Sequence, residues 1–161
     1  MKTNSFSKIF LIAIVMLIFS CDSNKLYEEN LTVDKDGWHA DDVKTFEFEI
    51  EDTLSPLNLY INLRTTTDYP FSNLYLFLYS SYPDGYRDKD TLEFILAEPS
   101  GKWLGENSGT VVENKIMIFK GGRFTKQGTY QFKLEHGMRE KILPEILDVG
   151  FRVELMEMKQ S

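Results

Sequence analysis

The sequence predicts an all-β fold, an antiparallel sandwich of about seven or eight strands with a short helical turn in a late crossover; a closed β-barrel is the rival architecture. Three observations carry this reading. Seven separate segments carry strand patterns, most of them alternating apolar with polar residues, Pro and Gly clusters punctuate the intervals, and the 12 Phe, 8 Tyr and 2 Trp fall mostly on the apolar phase of the strands. Alternation with a period of two marks strands that bury one face and wet the other, and Pro and Gly supply the fixed or positive φ angles that turns require.

In chain order, residues 1–20 come first. Lys2 and Lys8 precede an apolar run from Ile9 to Phe19, then Ser20 and Cys21. That order of basic, apolar and small residues is a secretory signal peptide. The run is too short for the roughly 20 residues that cross a bilayer. Ile18-Phe19-Ser20-Cys21 resembles a lipobox, so Cys21, the one cysteine of the chain, is expected to carry a diacylglycerol thioether and an acyl chain and to become the mature N-terminus. A thiol so used leaves none for a disulfide. Residues 21–36 are polar without a sustained period and read as a lipid-anchored tether; residues 37–158 read as a single sandwich domain.

Within that domain Phe46-Phe48-Ile50 and Leu57-Leu59-Ile61-Leu63 alternate with polar residues. Leu74 to Tyr79 is apolar at every position and is the expected central strand, covered on both sides. Leu92-Phe94-Leu96, Ile116 to Phe119, Tyr130-Phe132-Leu134 and Val149-Phe151-Val153-Leu155 complete the seven. Pro83-Asp84-Gly85, Pro99-Ser100-Gly101, Gly121-Gly122 and Gly128 stand between them as turns. In His136–Leu147, Met138, Ile142, Ile146 and Leu147 fit helical spacing until Pro144 interrupts, which predicts one or two helical turns. Gly128-Thr129-Tyr130, entering a late strand, has the pattern of a tyrosine corner.

Charge and chemistry narrow the function. Residues 1–20 hold two lysines and no acid, so of 18 basic and 25 acidic residues the mature chain keeps 16 and 25, a formal charge of −9. Nucleic acid, which needs clustered Lys and Arg, is excluded as a partner, and membrane attachment rests on the acyl chains. His39 and His136 are isolated in sequence and read as structural or surface residues. The three aspartates of Asp84–Asp90 lack the glycine and glutamate of a calcium loop. No nucleophile motif is present, so no catalytic residue, metal or cofactor is assigned. Tyr69, Phe71, Tyr82 and Trp103 fall in predicted connections, where large aromatics either plug the ends of a sandwich or contact a partner. Plugging is the favoured reading. The alternative function is binding of glycan or peptidoglycan through these aromatics.

Several stretches, Asp52 to Arg64, Tyr69 to Leu74, Pro83-Asp84-Gly85, Asp90 to Phe94, Gly101 to Gly105, Met138-Arg139 and Asp148 to Glu154, together resemble the GldH gliding-motility lipoproteins of the Bacteroidetes, in the family's order. Leu57 stands where the family has an aromatic, Phe71 where tyrosine is usual, and Gly137 where alanine is. The connection from Glu140 to Leu147 is short. The resemblance implies a non-enzymatic outer-membrane lipoprotein of the gliding-motility and type IX secretion machinery. Asp52-Thr53-Leu54 and Asp90-Thr91-Leu92 resemble the motif at which this phylum attaches O-linked glycans, which makes Thr53 and Thr91 expected modification sites. Surface lipoproteins of the phylum carry an acidic cluster just after the cysteine; Asp22-Ser23-Asn24-Lys25 does not, which favours the periplasmic face.

Overall fold

The computed structural model describes residues 24–156. The signal segment and Cys21 lie outside them. Eleven strands are formed among the described residues: β1 (Lys25–Thr32), β2 (Trp38–His39), β3 (Lys44–Ile50), β4 (Leu57–Thr66), β5 (Asn73–Ser81), β6 (Arg87–Ile95), β7 (Glu106–Ser108), β8 (Val111–Gly122), β9 (Gly128–His136), β10 (Ile142–Leu143) and β11 (Ile146–Leu155). They build a five-stranded sheet in the order β1-β11-β4-β8-β7, a four-stranded sheet in the order β3-β9-β5-β6, and a two-stranded pair of β10 with β2. The fold is an open sandwich and not a closed barrel. All seven segments read from the sequence fall on strands, with Leu96 alone lying one residue past the end of β6.

The register explains the core. Val149, Phe151 and Val153 of β11 face Leu63, Ile61 and Leu59 of β4, and on the other sheet Phe46 and Phe48 of β3 lie opposite Phe132 and Tyr130 of β9. Phe151 reaches across the gap to stack on Phe132 at 4.7 Å and Phe46 at 5.8 Å between ring centroids. Two one-sided apolar faces thus close on each other, the usual solution for antiparallel sheets. Trp38 of the short pair caps the core, fully buried, with its indole N–H donating to the Asp42 carbonyl at 2.8 Å.

Three expectations change. Residues 21–36 are not simply a tether: Lys25–Thr32 forms β1, paired with β11 from Lys25–Glu154 to Thr32–Asp148. The period is obscured because a register shift between Lys25 and Tyr27 displaces Leu26, and because Glu29 sits opposite the core residue Phe151 in the inward phase. The helical turn expected in His136–Leu147 is absent, and β10 with a tight turn takes its place. Pro144 fixes the first turn residue and Glu145 follows at φ 65°, the geometry that demands a left-handed second residue. Thr66 holds it there, its N–H donating to the Glu145 carbonyl and its hydroxyl to the Glu145 carboxylate. Finally, β5 is an interior strand as expected, but only Leu74, Leu76, Leu78 and Ser80 are buried. Tyr75, Phe77 and Tyr79 face outward, where the Lys89 ammonium lies 4.2 Å from the Phe77 ring centroid and 4.8 Å from that of Tyr79.

Candidate functional site

The strand directions divide the connections between two ends. At the proximal end lie the start of β1, the 51–56 connection, the 82–86 turn, the 123–127 connection and the last residues of β11. At the distal end lie the connections 67–72, 96–105 and 137–141. Tyr69, Phe71 and Trp103 come together at the distal end: the Tyr69 ring is 5.7 Å from Phe71 and 6.4 Å from Trp103 between centroids. Tyr69 is only 4% exposed and its hydroxyl donates to the Asn73 carbonyl at 3.1 Å, so burial pushes the phenol pKa upward. It plugs this end of the sandwich, the favoured of the two readings of these connection aromatics, and offers a partner almost no surface. Phe71 and Trp103 are half-buried beside it and pack on the core.

Tyr82 belongs to the proximal end. Its ring stands edge-on to Tyr130 at 5.6 Å and tilts against Tyr86 at 5.5 Å. Tyr130 is buried, and its hydroxyl donates to the Lys126 carbonyl at 2.9 Å. That is the tyrosine-corner arrangement, in which a strand residue ties down the loop before it. Thr53 is half-buried in the 51–56 connection, while Thr91 lies exposed on β6, the edge strand of its sheet. His39 is half-buried and bonded to Asp36 at 2.9 Å, which raises its pKa. His136 is 2% exposed, edge-on to Trp38 at 5.4 Å, and burial lowers its pKa. Among the described residues no group of three His, Cys, Asp or Glu side chains is placed to hold a metal ion.

The most organised polar surface was not legible in the sequence. It crosses the outer face of the five-stranded sheet. The Arg152 guanidinium on β11 donates to Glu28 on β1 at 2.8 Å and to Glu154 at 2.5 Å. Lys115 on β8 reaches Glu154 at 2.5 Å and lies over the Tyr60 ring at 4.3 Å. Lys25 and Asn62 complete the shell of Glu28 at 3.1 and 3.0 Å. Burial alone would raise both carboxyls, but the surrounding cations and donors hold Glu28 and Glu154 below the ordinary carboxylate range. Nearby, Arg64 donates to Asp148 at 2.8 Å, yet burial dominates there and raises the Asp148 pKa.

A groove of about 740 Å³ borders this network toward Leu104, Ile95 and Met117. A second cleft, about 360 Å³, opens between the sheets on the side of β6 and β8; Leu59, Leu78, Phe119, Phe124 and Phe132 line it, with Asp90 and Arg123 among its polar members. Neither cleft gathers a nucleophile, a base and an orienting partner, the geometry on which acid–base catalysis depends.

Sequence comparison gives this surface its context. The profile of the family described as GldH lipoprotein matches residues 25–153, from the first strand through almost all of the last. The chain belongs to the GldH lipoprotein family. Two GldH relatives match over nearly their full lengths. One is the "Gliding motility lipoprotein GldH" of Flavobacterium johnsoniae, 35% identical over 155 residues that cover 92% of this chain and 95% of that one. The other is the "Gliding motility lipoprotein GldH homolog" of Christiangramia forsetii, 34% identical over 158 residues that cover 94% and 96%. Among solved structures, the infectious bursal disease virus VP2 subviral particle aligns with 81% of this chain and 39% of its own at 14% identity and a TM-score of 0.21. That superposition is too low to inform fold or function. GldH membership makes this chain a membrane-anchored lipoprotein of a family named for gliding motility.

Proposed function

We propose that this protein is a non-enzymatic assembly component of the gliding-motility and type IX secretion envelope machinery, held by lipid on Cys21 at the periplasmic face of the outer membrane. The observation that carries the reading is the full-length match to relatives named gliding motility lipoproteins. The structure supports a binding role through an extended polar sheet face in which Arg152, Glu28, Glu154 and Lys115 are already paired with each other. Such a pre-organised face loses little freedom when a partner adds to it. The glycan-binding alternative loses part of its motivation, because Tyr69 is buried and Tyr82 lies at the opposite end from Trp103.

The test is chemical cross-linking in intact cells followed by purification from detergent-solubilised envelope, alongside a deletion strain. Co-enrichment of outer-membrane motility or secretion components, with loss of cargo export in the deletion strain, is expected. Normal export and motility without any such partner would refute the proposal. Lipidation is tested separately: Cys21→Ser should abolish incorporation of a fatty-acid analogue and release the folded domain from the membrane fraction.

A further inference from the structure

We propose that the proximal end of the sandwich is a membrane-docking face, seated on the same bilayer that holds the lipid, through the apolar side chains Leu54, Tyr86 and Phe119 and the basic loop Lys120–Lys126. This inference rests on the lipidation of Cys21 proposed above. With residues 25–32 in a strand, little leash remains. The Asn24 carbonyl accepts from the Leu155 N–H at 2.7 Å, and the three residues back to Cys21 span at most about 10 Å fully extended. A domain so tethered meets the bilayer with whichever end bears the start of β1.

That end is built for contact. Leu54 in the 51–56 connection is 81% exposed, Tyr86 in the 82–86 turn 59%, and Phe119 near the end of β8 55%. Asp52 accepts the backbone N–H groups of Leu54 and Ser55 at 2.7 and 3.2 Å, which shapes the turn that leaves the Leu54 side chain outside. In a chain where acids outnumber bases 25 to 18, residues 119–126 hold Lys120, Arg123 and Lys126 and no acid. Lys126 pairs with Asp84 across the same end, and among the described residues Lys120 and Arg123 have no ion-pair partner. Glu51 and Asp52 in the 51–56 connection and Asp88 at the start of β6 are the other exposed acids there, and all of them lie outside the Lys120–Lys126 loop. The distal end also exposes apolar side chains, Leu104 and Ile142, but it lacks the anchor, and its 137–141 connection sets Glu140 between Arg139 and Lys141. Apolar side chains flanked by Lys and Arg are the chemistry that enters the interface of an anionic bilayer.

The test uses the full lipidated chain in vesicles of phosphatidylethanolamine and phosphatidylglycerol. Leu54→Cys, Phe119→Cys and, at the distal end, Leu104→Cys are labelled with a fluorophore and quenched by nitroxide-bearing lipid. A thioether at Cys21 leaves the introduced thiol as the only one that takes label. Quenching at positions 54 and 119 should exceed that at 104 several-fold, and Lys120→Glu with Arg123→Glu should reduce the difference in anionic vesicles but not in zwitterionic ones. Equal quenching at both ends of a membrane-bound protein overturns the docking face, and indifference to charge reversal removes the basic loop from it. Labelling of the unsubstituted chain shows a free Cys21 thiol, a distinct result that overturns the lipidation and the docking together.

Discussion

Replacing Arg152 with methionine removes the charge that ties β11 to β1 while keeping most of the side chain's length. Arg152 is 9% exposed and contacts Glu28 and Glu154 at 2.8 and 2.5 Å. Removing one member of a buried ion pair costs roughly 3–5 kcal/mol because the partner is left without compensation. Here Lys25 still reaches Glu28 and Lys115 still reaches Glu154, so the lower end of that range applies, about 3 kcal/mol. Urea unfolding near pH 7 is the assay, since guanidinium would screen the interaction under study. The pH dependence gives a second check. Both carboxyls are held below their ordinary 4.5 in the folded protein, so their stabilisation is present above that value and is lost as pH falls through the depressed pKa values. The gap between wild type and Arg152→Met should therefore narrow below pH 4.5. A loss under about 1 kcal/mol at pH 7, or a gap that does not change on acidification, would refute the reasoning.

Tyr130→Phe should cost about 1 kcal/mol through the lost bond to the Lys126 carbonyl, read as a lower urea midpoint with an unchanged slope. Gly150→Ala should cost roughly 1–3 kcal/mol and loosen β1, because a Cβ there would come within 1.9 Å of the Asn30 side-chain oxygen and 2.9 Å of the Glu29 carbonyl; faster amide exchange across 25–32 is the local readout. His136, whose folded pKa lies below its ordinary 6.5, contributes stability that is full above 6.5 and declines as pH falls toward the lowered value. His136→Leu should flatten the stability profile in that window, and an unaltered slope would show that other groups set it.

Alternation located seven strands because each buries one face, and residues such as Phe46-Phe48-Ile50 record that directly. Where the pattern was silent, the strands are held by something other than core burial. Strand β7 is exposed throughout and exists by hydrogen bonding to β8, while β1 carries Glu29 in its inward phase and a register shift at Leu26. Pro144 was recognised as a breaker, but what it shapes is a turn fixed by Thr66 and Glu145, residues 79 positions apart. The end-plugging role of Tyr69 was legible from its place in a connection. The charged network was not, since Glu28 and Arg152 are separated by 124 positions and meet only through the β1–β11 pairing.

That pairing also sets how the domain bears load. With the lipid proposed on Cys21, the chain comes from the membrane into the first residue of β1, and β1 then runs away from the bilayer alongside an antiparallel β11. A pull between the lipid and anything gripping the distal end drags β1 along its own axis past its neighbour. Interstrand hydrogen bonds lie across the strands, so the seven registered residue pairs resist together in shear, where a pull from the opposite corner would unzip them one after another. The anchoring strand is thus oriented as a mechanical clamp, strongest in the direction in which a membrane-held protein is tugged.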